Sequence, residues 1–313
     1  MGILGPTLTR AVMTATDAPA QNETTGDEAA PRARNAVRVG SKNFTEQYIL
    51  AALIEDVLED AGFTAHTTQS LGSTIVFQAL VDGEIDCYVD YTGTVWANYM
   101  EREEIADRQK VLREVGEWLE SEHDIRCIGT LGFENAYALA MRKKRAQELD
   151  IATIPDLVPH ASGFVLGTDY EFLGRPEWIS LSDTYNLSFA DTNTYSPTFM
   201  YKAIAKETVD VISAFTSDGR IKAFDLTTLE DTKDVIPPYD AILLVSGKTA
   251  GRPGLREAFA PLVDAIDIET MRQANYKVDR EKNKQTVQEA AAWLHQHAAS
   301  APETESEHIN EGA

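Results

Sequence analysis

Cysteine and basic residues are both scarce in this 313-residue chain. Its two cysteines, Cys87 and Cys127, lie in apolar runs that are typical of strands. Such positions favour buried free thiols, although the sequence alone leaves a disulfide between them open. Lys and Arg number 28 against 50 Asp and Glu, so the formal net charge is -22. A chain of this charge lacks the basic face that nucleic acid requires, and we expect no nucleic-acid partner.

Long apolar runs and the short motifs of common enzymes are missing as well. No run reaches the length of a transmembrane helix, and neither a P-loop nor a nucleophile elbow occurs. His295 and His297 lie two positions apart, so a helix would not present them on one face as a metal pair. Cys87 has no base near it in the sequence. We therefore predict no catalytic residue, no metal site and no cofactor.

The cations that are present favour arginine over lysine. An acidic surface that is poor in lysine is typical of proteins that work in concentrated salt, where ions screen the repulsion between like charges. The composition therefore predicts a halophilic protein. The alternative is an ordinary acidic protein with no adaptation to salt.

Both ends of the chain have compositions that argue against packing. Residues 1–13 are too short and too interrupted for a complete signal peptide, and residues 14–36 hold almost no large apolar side chain. We expect residues 1–36 to be a flexible tether or the remnant of a signal. Residues 300–313 are predicted to be an acidic, disordered tail.

Between these ends, strand and helix patterns alternate. Residues 37–91 read as βαβαβ, which predicts parallel strands joined by right-handed crossovers. A second α/β block follows, and its predicted strands lie at residues 164–168, 187–190 and 209–215. The apolar run 241–245 is followed only by helical patterns, so this strand most simply returns to the first sheet.

This order predicts an α/β fold with two lobes and a cleft between them. We assign residues 37–134 and 239–299 to lobe 1 and residues 135–238 to lobe 2. The chain would then cross between the lobes twice, near Glu134 and near Pro238. Two such crossovers form a hinge that is suited to closing on a small ligand.

The stretch that organises the predicted cleft is residues 85–96, with the sequence IDCYVDYTGTVW. A strand that ends at a glycine-containing turn and leads into a helix marks the place where open α/β sheets bind ligands. Further aromatic residues lie next to turns or crossovers at other strand ends. The complete set is Tyr91, Tyr137, Phe215 and Tyr239. Four converging aromatic faces would bind a quaternary ammonium by cation–π attraction, although each ring taken singly is more often part of a core.

Three further residues suggest a second, anionic end to the ligand. Lys42 and Arg175 lie at junctions between strand and helix, and Thr94 lies at the start of the helix that follows Tyr91. Together these side chains can hold a carboxylate, to which arginine can donate two parallel hydrogen bonds. The alternative for each cation is an ordinary solvated surface charge.

Several motifs, in order along the chain, resemble those of the glycine betaine/proline betaine-binding proteins of ABC transporters. The motifs are VRVGSKNFTEQYILAALIEDVLEDAG, LGST, IDCYVDYTGT, LGFENAYALAMR, PPYDAILLV and IETMRQANYKVD. The resemblance covers about residues 37–297, nearly all of the chain that we expect to fold. It implies a two-lobed type II periplasmic-binding-protein fold, with a tyrosine cage for the ligand's trimethylammonium and basic and hydroxyl groups for its carboxylate.

The resemblance also assigns the site residue by residue. The ammonium cage would consist of Tyr91, Tyr137, Phe215 and Tyr239, with a main-chain contribution from Asn135. The carboxylate would meet Lys42, Thr94 and Arg175. Two positions depart from the family pattern. Phe215 stands where the best-matching members have a tyrosine, and Asn135 stands where they have an aspartate.

These observations predict an extracytoplasmic binding protein, tethered to the membrane or secreted, that delivers a compatible solute to ABC permease subunits. We expect it to work as a monomer and to bind a small betaine. Two alternatives stay open at this point. One is a protein of the same fold for choline or another quaternary amine. The other is an enzyme on this fold that uses Cys87, as porphyrin-precursor deaminases use a cysteine.

Overall fold

A computed structural model describes residues 35–102, 104 and 106–298 of the chain. The predicted tether lies outside these residues except for its last two positions, and the predicted acidic tail lies outside them entirely. Within the described part, none of the helices combines the length and the apolar character that crossing a membrane requires.

The regular elements of the described residues alternate along the chain. The strands are β1 (Ala36–Lys42), β2 (Thr64–Leu71), β3 (Cys87–Tyr91), β4 (Ile125–Glu134), β5 (Tyr137–Arg142), β6 (Val165–Thr168), β7 (Asp191–Thr194), β8 (Val211–Phe215), β9 (Leu226–Thr228) and β10 (Asp240–Ser246). The α-helices are α1 (Thr45–Asp60), α2 (Ser73–Val81), α3 (Thr92–Thr94), α4 (Arg108–His123), α5 (Lys143–Glu148), α6 (Ile154–Ala161), α7 (Pro176–Tyr185), α8 (Pro197–Ala205), α9 (Arg220–Ala223), α10 (Gly247–Ala250), α11 (Leu255–Phe259), α12 (Ile268–Asp279) and α13 (Val287–His297). A π-helical turn, Val95–Tyr99, follows α3, and 3₁₀ turns lie at Phe172–Gly174 and Ala260–Leu262.

The first sheet has the strand order β2-β1-β3-β10-β4. Strands β1, β2 and β3 are parallel, as the βαβαβ pattern predicts, and β10 runs antiparallel to both β3 and β4. Alternate side chains of β10 enter different cores. Leu243 packs with α1 and the C-terminal helices, whereas Leu244 packs with α2 and α4. The prediction that this apolar strand returns to the first sheet is confirmed.

The second sheet has the strand order β7-β6-β8-β5-β9. Strand β5 pairs antiparallel with β8 and β9, and β6 pairs parallel with β7 and β8. Helices cover both faces of this sheet as well, because Leu139 of β5 belongs to the core beside α6 and α7, while its neighbour Ala140 belongs to the core beside α8. The described chain therefore contains two sheets, each with its own buried cores.

Two chain crossings join the sheets, and a threonine side chain holds each of them. Between β4 and β5, the hydroxyl of Thr216 donates to the carbonyl of Glu134 at 2.9 Å and accepts the backbone N–H of Ala136 at 3.0 Å. Before β10, the hydroxyl of Thr92 donates to the carbonyl of Pro238 at 3.0 Å and accepts the backbone N–H of Asp240 at the same distance. The crossings lie where the sequence placed them. The exact lobe boundaries stay a prediction.

One predicted strand is wrong. Residues 187–190 are irregular, and the strand at this edge is β7, four residues further along the chain. Leu187 is apolar because it packs into the core beside α7, not because it lies in the sheet. The side chains of β7 are polar and mostly exposed, so no apolar pattern marks this edge strand.

Both cysteines are free thiols, as the sequence favoured, but only Cys87 is buried, whereas Cys127 is half-buried. Cys87 lies opposite Val245, and Cys127 lies opposite Leu244 on the other side of β10. Two strand spacings, about 9.5 Å, therefore separate β3 from β4, whereas a disulfide needs Cα atoms within about 7 Å. The sheet order thus excludes a bond between the two cysteines.

Candidate functional site

A cavity of about 490 Å³ lies where loops from both sheets meet, a volume typical of sites for small molecules. Its walls come from the start of α1, the crossing between β4 and β5, the loops after β6 and β8, and helix α12. The lining residues are Asn43, Phe44, Thr45, Glu46, Asn135, Tyr137, Asp169, Tyr170, Glu171, Phe215, Ser217, Asp218, Arg220, Asn275 and Asp279.

Aromatic rings form part of this lining on both sides. Tyr137 and Phe215 are paired across β5 and β8, which brings their ring centroids to 4.6 Å at a tilt of 39°. Phe44, which immediately precedes α1, also lines the cavity and stacks on Tyr91 of the first sheet, with centroids 6.3 Å apart. Tyr170 also lines the cavity and is 72% exposed. Aromatic faces at such a site can attract a cation.

Five of the eight predicted site residues lie outside this lining: Lys42, Tyr91, Thr94, Arg175 and Tyr239. Tyr91 forms a second layer behind Phe44, and its hydroxyl reaches the cavity residue Glu46. The ring of Tyr239 lies against Gly93, and its hydroxyl donates a hydrogen bond to Glu177. Thr94 is half-buried in α3. The structure thus brings Asn135, Tyr137 and Phe215 together at the cavity and leaves the other five behind or beside them.

The two predicted carboxylate-binding cations already have carboxylate partners. The ammonium of Lys42 is buried and forms an ion pair with Asp90, which also accepts a hydrogen bond from Tyr88. Arg175 lies 3.4 Å from Glu177 and 3.2 Å from Glu171. Its guanidinium also lies 5.2 Å from the centroid of the Tyr137 ring, so it adjoins the cavity wall without being part of it. The sequence did not reveal these pairings.

Glu46 is the most connected polar residue of the cavity. Its Oε1 accepts hydrogen bonds from the Tyr91 hydroxyl at 2.6 Å and from Asn135 Nδ2 at 3.1 Å, and its Oε2 accepts one from Asn275 Nδ2 at 2.8 Å. Burial raises the pKa of Glu46 above its ordinary value, while hydrogen bonds from Ser217, Tyr91 and both asparagines oppose that shift. The Glu46 carboxylate therefore connects side chains from several elements of the fold at one position in the cavity wall.

Arg220 is the cation of the lining, and an acidic partner holds it. Its Nε and Nη2 bind Asp218 at 2.9 and 2.5 Å, and its guanidinium lies 4.4 Å from the ring centroid of Tyr201. Five carboxylates share the lining with this one guanidinium: Glu46, Asp169, Glu171, Asp218 and Asp279. The described cavity therefore carries a strong excess of negative charge.

Sequence reasoning missed Phe44, Glu46, Asp169 and Asn275. For Glu46 a signal existed, because it stands four positions before Leu50 on the stripe of α1 that faces the core. A charged residue on a core-facing stripe is unusual and therefore indicates a candidate site residue. Asp169 and Asn275 carry no comparable mark, since nothing in the sequence brings the loop after β6 next to α12.

Cys87 does not have the properties of a nucleophile. The thiol is fully buried in β3, and burial raises its pKa above the ordinary value. A reactive cysteine needs a lowered pKa and access to substrate. Among the residues that the structure describes, no group of three or more His, Cys, Asp or Glu side chains is arranged to hold a metal ion.

Comparison with known proteins gives a consistent result. Residues 35–296 match the family model described as the substrate binding domain of ABC-type glycine betaine transport system. A glycine-betaine-binding protein of Pseudomonas aeruginosa is 32% identical over 275 residues, which cover 83% of this chain and 88% of that protein. The carnitine transport binding protein OpuCC of Listeria monocytogenes is 28% identical, over 79% of this chain and 82% of that protein.

A solved structure gives the same indication for the fold. The crystal structure of a glycine betaine/carnitine/choline ABC transporter protein superposes with a TM-score of 0.78 at 25% identity. The match covers 83% of this chain and 98% of that one. The predicted two-lobed periplasmic-binding-protein fold is therefore confirmed.

Proposed function

Because this chain belongs to the family of substrate-binding domains of ABC-type glycine betaine transport systems, we propose that its cleft binds glycine betaine or proline betaine. The family is one of transport proteins and not a class of enzymes, and the substrate-binding proteins of ABC importers are extracytoplasmic. We also propose that the protein acts as a monomer and that it is adapted to high salt. It would be either tethered to the membrane or secreted.

The observation that carries the proposal is the pair of rings, Tyr137 and Phe215, in the wall of a cavity between the two sheets. In the proposed complex these rings contact the trimethylammonium, together with Tyr91, Tyr239 and the main chain of Asn135. Each aromatic face would contribute about 0.5–2 kcal/mol to a desolvated cation. Phe215 supplies a face without a hydroxyl, so this position contributes through its ring alone.

For the other end of the ligand we propose Lys42, Thr94 and Arg175. Arg175 is the best placed of the three, because its guanidinium lies 5.2 Å from the ring centroid of Tyr137. Its contacts with Glu171 and Glu177 are 3.2 and 3.4 Å long, so the ligand's carboxylate would compete with Glu171, whose side chain is 76% exposed. The exposed partner is the one that can move aside at low cost.

A second candidate ligand, choline or a related quaternary amine, is favoured by a different observation. Five carboxylates and one guanidinium line the cavity, and both predicted carboxylate-binding cations have protein partners. A ligand with a positive head and a neutral tail would suit this excess of negative charge. If Lys42 and Arg175 bind the ligand's carboxylate, a betaine is favoured. If they do not, choline or a related amine is favoured.

Calorimetric titration with glycine betaine, proline betaine, choline and carnitine, at low and high salt, tests the proposal. We expect a betaine to bind with a dissociation constant near micromolar, about 8 kcal/mol, and choline to bind at least about tenfold more weakly. A betaine carboxylate can replace the exposed Glu171 at Arg175 and gain a charge-assisted hydrogen bond, which the hydroxyl of choline cannot match, so Arg175→Ala should shrink the gap. Equal affinities would favour the choline alternative, and the absence of binding by all four compounds would refute the proposed function.

A further inference from the structure

Six carboxylates are buried among the described residues: Glu46, Asp86, Asp90, Asp169, Glu177 and Asp240. Four of them have a cationic partner within the protein. The pairs are Arg38–Asp86 at 2.9 Å, Lys42–Asp90, Arg175–Glu177 at 3.4 Å and Arg108–Asp240 at 2.7 Å. Glu46 and Asp169 have no ion pair in the described part of the chain, and both of them line the cavity.

Whether a buried carboxylate has a cationic partner depends on its position at the cavity and not on how deeply it is buried. Glu46 is 3% exposed and Asp169 is 7% exposed, much like the paired carboxylates. A buried carboxylate without a cation is costly, because a medium of low polarity penalises an uncompensated charge. When such groups occur in a binding cavity, a ligand is the natural source of the missing charge.

We infer that Glu46, with Asp169 as a second group on the other sheet's side of the cavity, supplies the negative charge that neutralises the ligand's quaternary ammonium. This inference rests on the proposed function and adds to it a role for two residues outside the predicted aromatic cage. The rings provide the contact surface, and the two carboxylates provide the net charge.

The hydrogen bonds of both carboxylates would favour a quaternary cation over a primary one. The oxygens of Glu46 already accept bonds from Tyr91, Asn135 and Asn275, and the side chain of Ser217 is a further donor. A carboxylate has about four acceptor positions, so Glu46 offers its charge but little free acceptor capacity. A trimethylammonium donates no hydrogen bond and needs only the charge. A primary ammonium needs acceptors and would gain less here.

Asp169 is held in the same way. Its Oδ1 accepts the backbone N–H groups of Glu171 and Phe172 at 2.8 and 3.0 Å, and its Oδ2 accepts the hydroxyl of Ser213 at 3.3 Å. These neutral donors fix the carboxylate without cancelling its charge. The wall around Glu46 adds further negative potential, because the Oδ1 atoms of Asn135 and Asn275 are buried without a hydrogen-bond partner in the described residues.

The test compares ligands that differ only in the charge of the head group. Glycine betaine and 3,3-dimethylbutanoate share a shape and a carboxylate, but a carbon replaces the charged nitrogen in the second. Choline and 3,3-dimethylbutan-1-ol form the equivalent pair. Calorimetry with the pair that contains the tighter ligand gives the preference of the protein for the charged head. We expect Glu46→Gln to reduce this preference at least about tenfold.

Glu59→Gln is the matched control, because it makes the same change on the same helix at an exposed position outside the cavity. It should leave the preference unchanged. Asp169→Asn should also reduce the preference for the charged head group. This second variant keeps the test possible if Glu46→Gln does not fold.

Two results would overturn the inference, and they are distinguishable. If Glu46→Gln and Asp169→Asn weaken the charged and uncharged ligands equally, the carboxylates have only a structural role, while the proposed function stands. If the unaltered protein binds no quaternary ammonium compound, the proposed function fails and the inference fails with it.

Discussion

The hydroxyl of Tyr239 donates a hydrogen bond to the carboxylate of Glu177, although the two residues belong to different halves of the fold. Tyr239 immediately precedes β10 of the first sheet, and Glu177 lies in α7 beside the second sheet. Arg175 contacts the same carboxylate at 3.4 Å. A predicted cage residue and a predicted carboxylate-binding residue therefore share one buried partner that links the two lobes.

Tyr239→Phe should weaken this link without removing the ring. A hydrogen bond to a charged group contributes about 1.5–3 kcal/mol, so we expect ligand affinity to fall about tenfold or more. Small-angle scattering without ligand should give a larger radius of gyration than for the unaltered protein. Tyr185→Phe is the matched control, because the Tyr185 hydroxyl also donates to a carboxylate, that of Asp231, but within one lobe. An unchanged radius and affinity in Tyr239→Phe would mean that the link does not hold the cleft closed.

The ring of Tyr137 should contribute to binding through its aromatic face. Tyr137→Leu keeps an apolar side chain at this position but removes the π face from the pair with Phe215. The expected loss is about 0.5–2 kcal/mol, or up to about thirtyfold in the dissociation constant for glycine betaine, measured by calorimetry. Phe199→Ala removes an aromatic ring that is 65% exposed and outside the cavity lining, and it should not change affinity. Equal affinity in both variants would assign Tyr137 to the core alone.

Gly93→Ala should disturb the ring of Tyr239. A Cβ atom at position 93 would lie 2.6 Å from that ring, closer than such atoms approach, so the ring or the backbone must move. Overpacking of this kind costs about 1–3 kcal/mol of folding free energy. We expect a lower melting temperature together with weaker ligand binding.

Gly116→Ala provides the control for this substitution. Gly116 lies within α4, and a Cβ there would meet nothing within 4 Å. Alanine in the interior of a helix is favoured over glycine by about 1 kcal/mol, so this variant should be slightly more stable. A Gly93→Ala protein that melts no lower than the unaltered one would show that the contact is looser than the structure indicates.

The pH dependence of stability should report the burial of Glu46. Burial raises the pKa of Glu46 in the folded state above the ordinary value of 4.5. The folded protein then binds the proton more tightly than the unfolded chain. The resulting contribution to stability is full below pH 4.5 and is lost as the pH rises through the folded-state pKa. Without ligand, the melting temperature of the unaltered protein should therefore fall between acidic and neutral pH, relative to that of Glu46→Gln.

Ligand affinity should change with pH in the opposite direction. Protonation removes the charge of Glu46, so glycine betaine should bind more weakly as the pH falls through the raised pKa, and Glu46→Gln should flatten this profile. Other charged groups near Glu46 include Lys42, whose ammonium lies 5.2 Å from the Tyr91 ring centroid, and the cavity residues Asp218, Arg220 and Asp279. The difference between the two proteins isolates Glu46 from these groups. Parallel profiles would assign the dependence to one of them.

Sequence patterns predicted those parts of the fold that depend on apolar periodicity. The strongly apolar run of β10 was placed in the first sheet because only helical patterns follow it in the sequence. Strand β7 was misplaced because its DTNT sequence is exposed and leaves no apolar trace. Tyr137 and Phe215 both line the cavity because antiparallel pairing of β5 and β8 brings two strand ends together, and their role in an ammonium cage stays a prediction.

The partners of charged residues could not be read from the sequence. Lys42 and Asp90 are 48 positions apart, and only the pairing of β1 with β3 brings them into contact. Their ion pair competes with the predicted role of Lys42 at the ligand. The same limit applies to Glu46, whose Asn275 partner lies 229 positions away on α12. Long-range polar contacts of this kind depend on the complete topology.

The position of β10 has a consequence for the order in which the chain acquires structure during synthesis. This strand lies between β3 and β4, yet it is translated only after every strand of the second sheet. Until residue 246 has left the ribosome, β3 and β4 each present an unpaired edge, and unpaired edges invite association with other chains. The second lobe, which is continuous in sequence, can fold during that interval. The first sheet cannot be completed until β10 has been made. During that stage, chaperone binding at β3 and β4 would protect their unpaired edges from association.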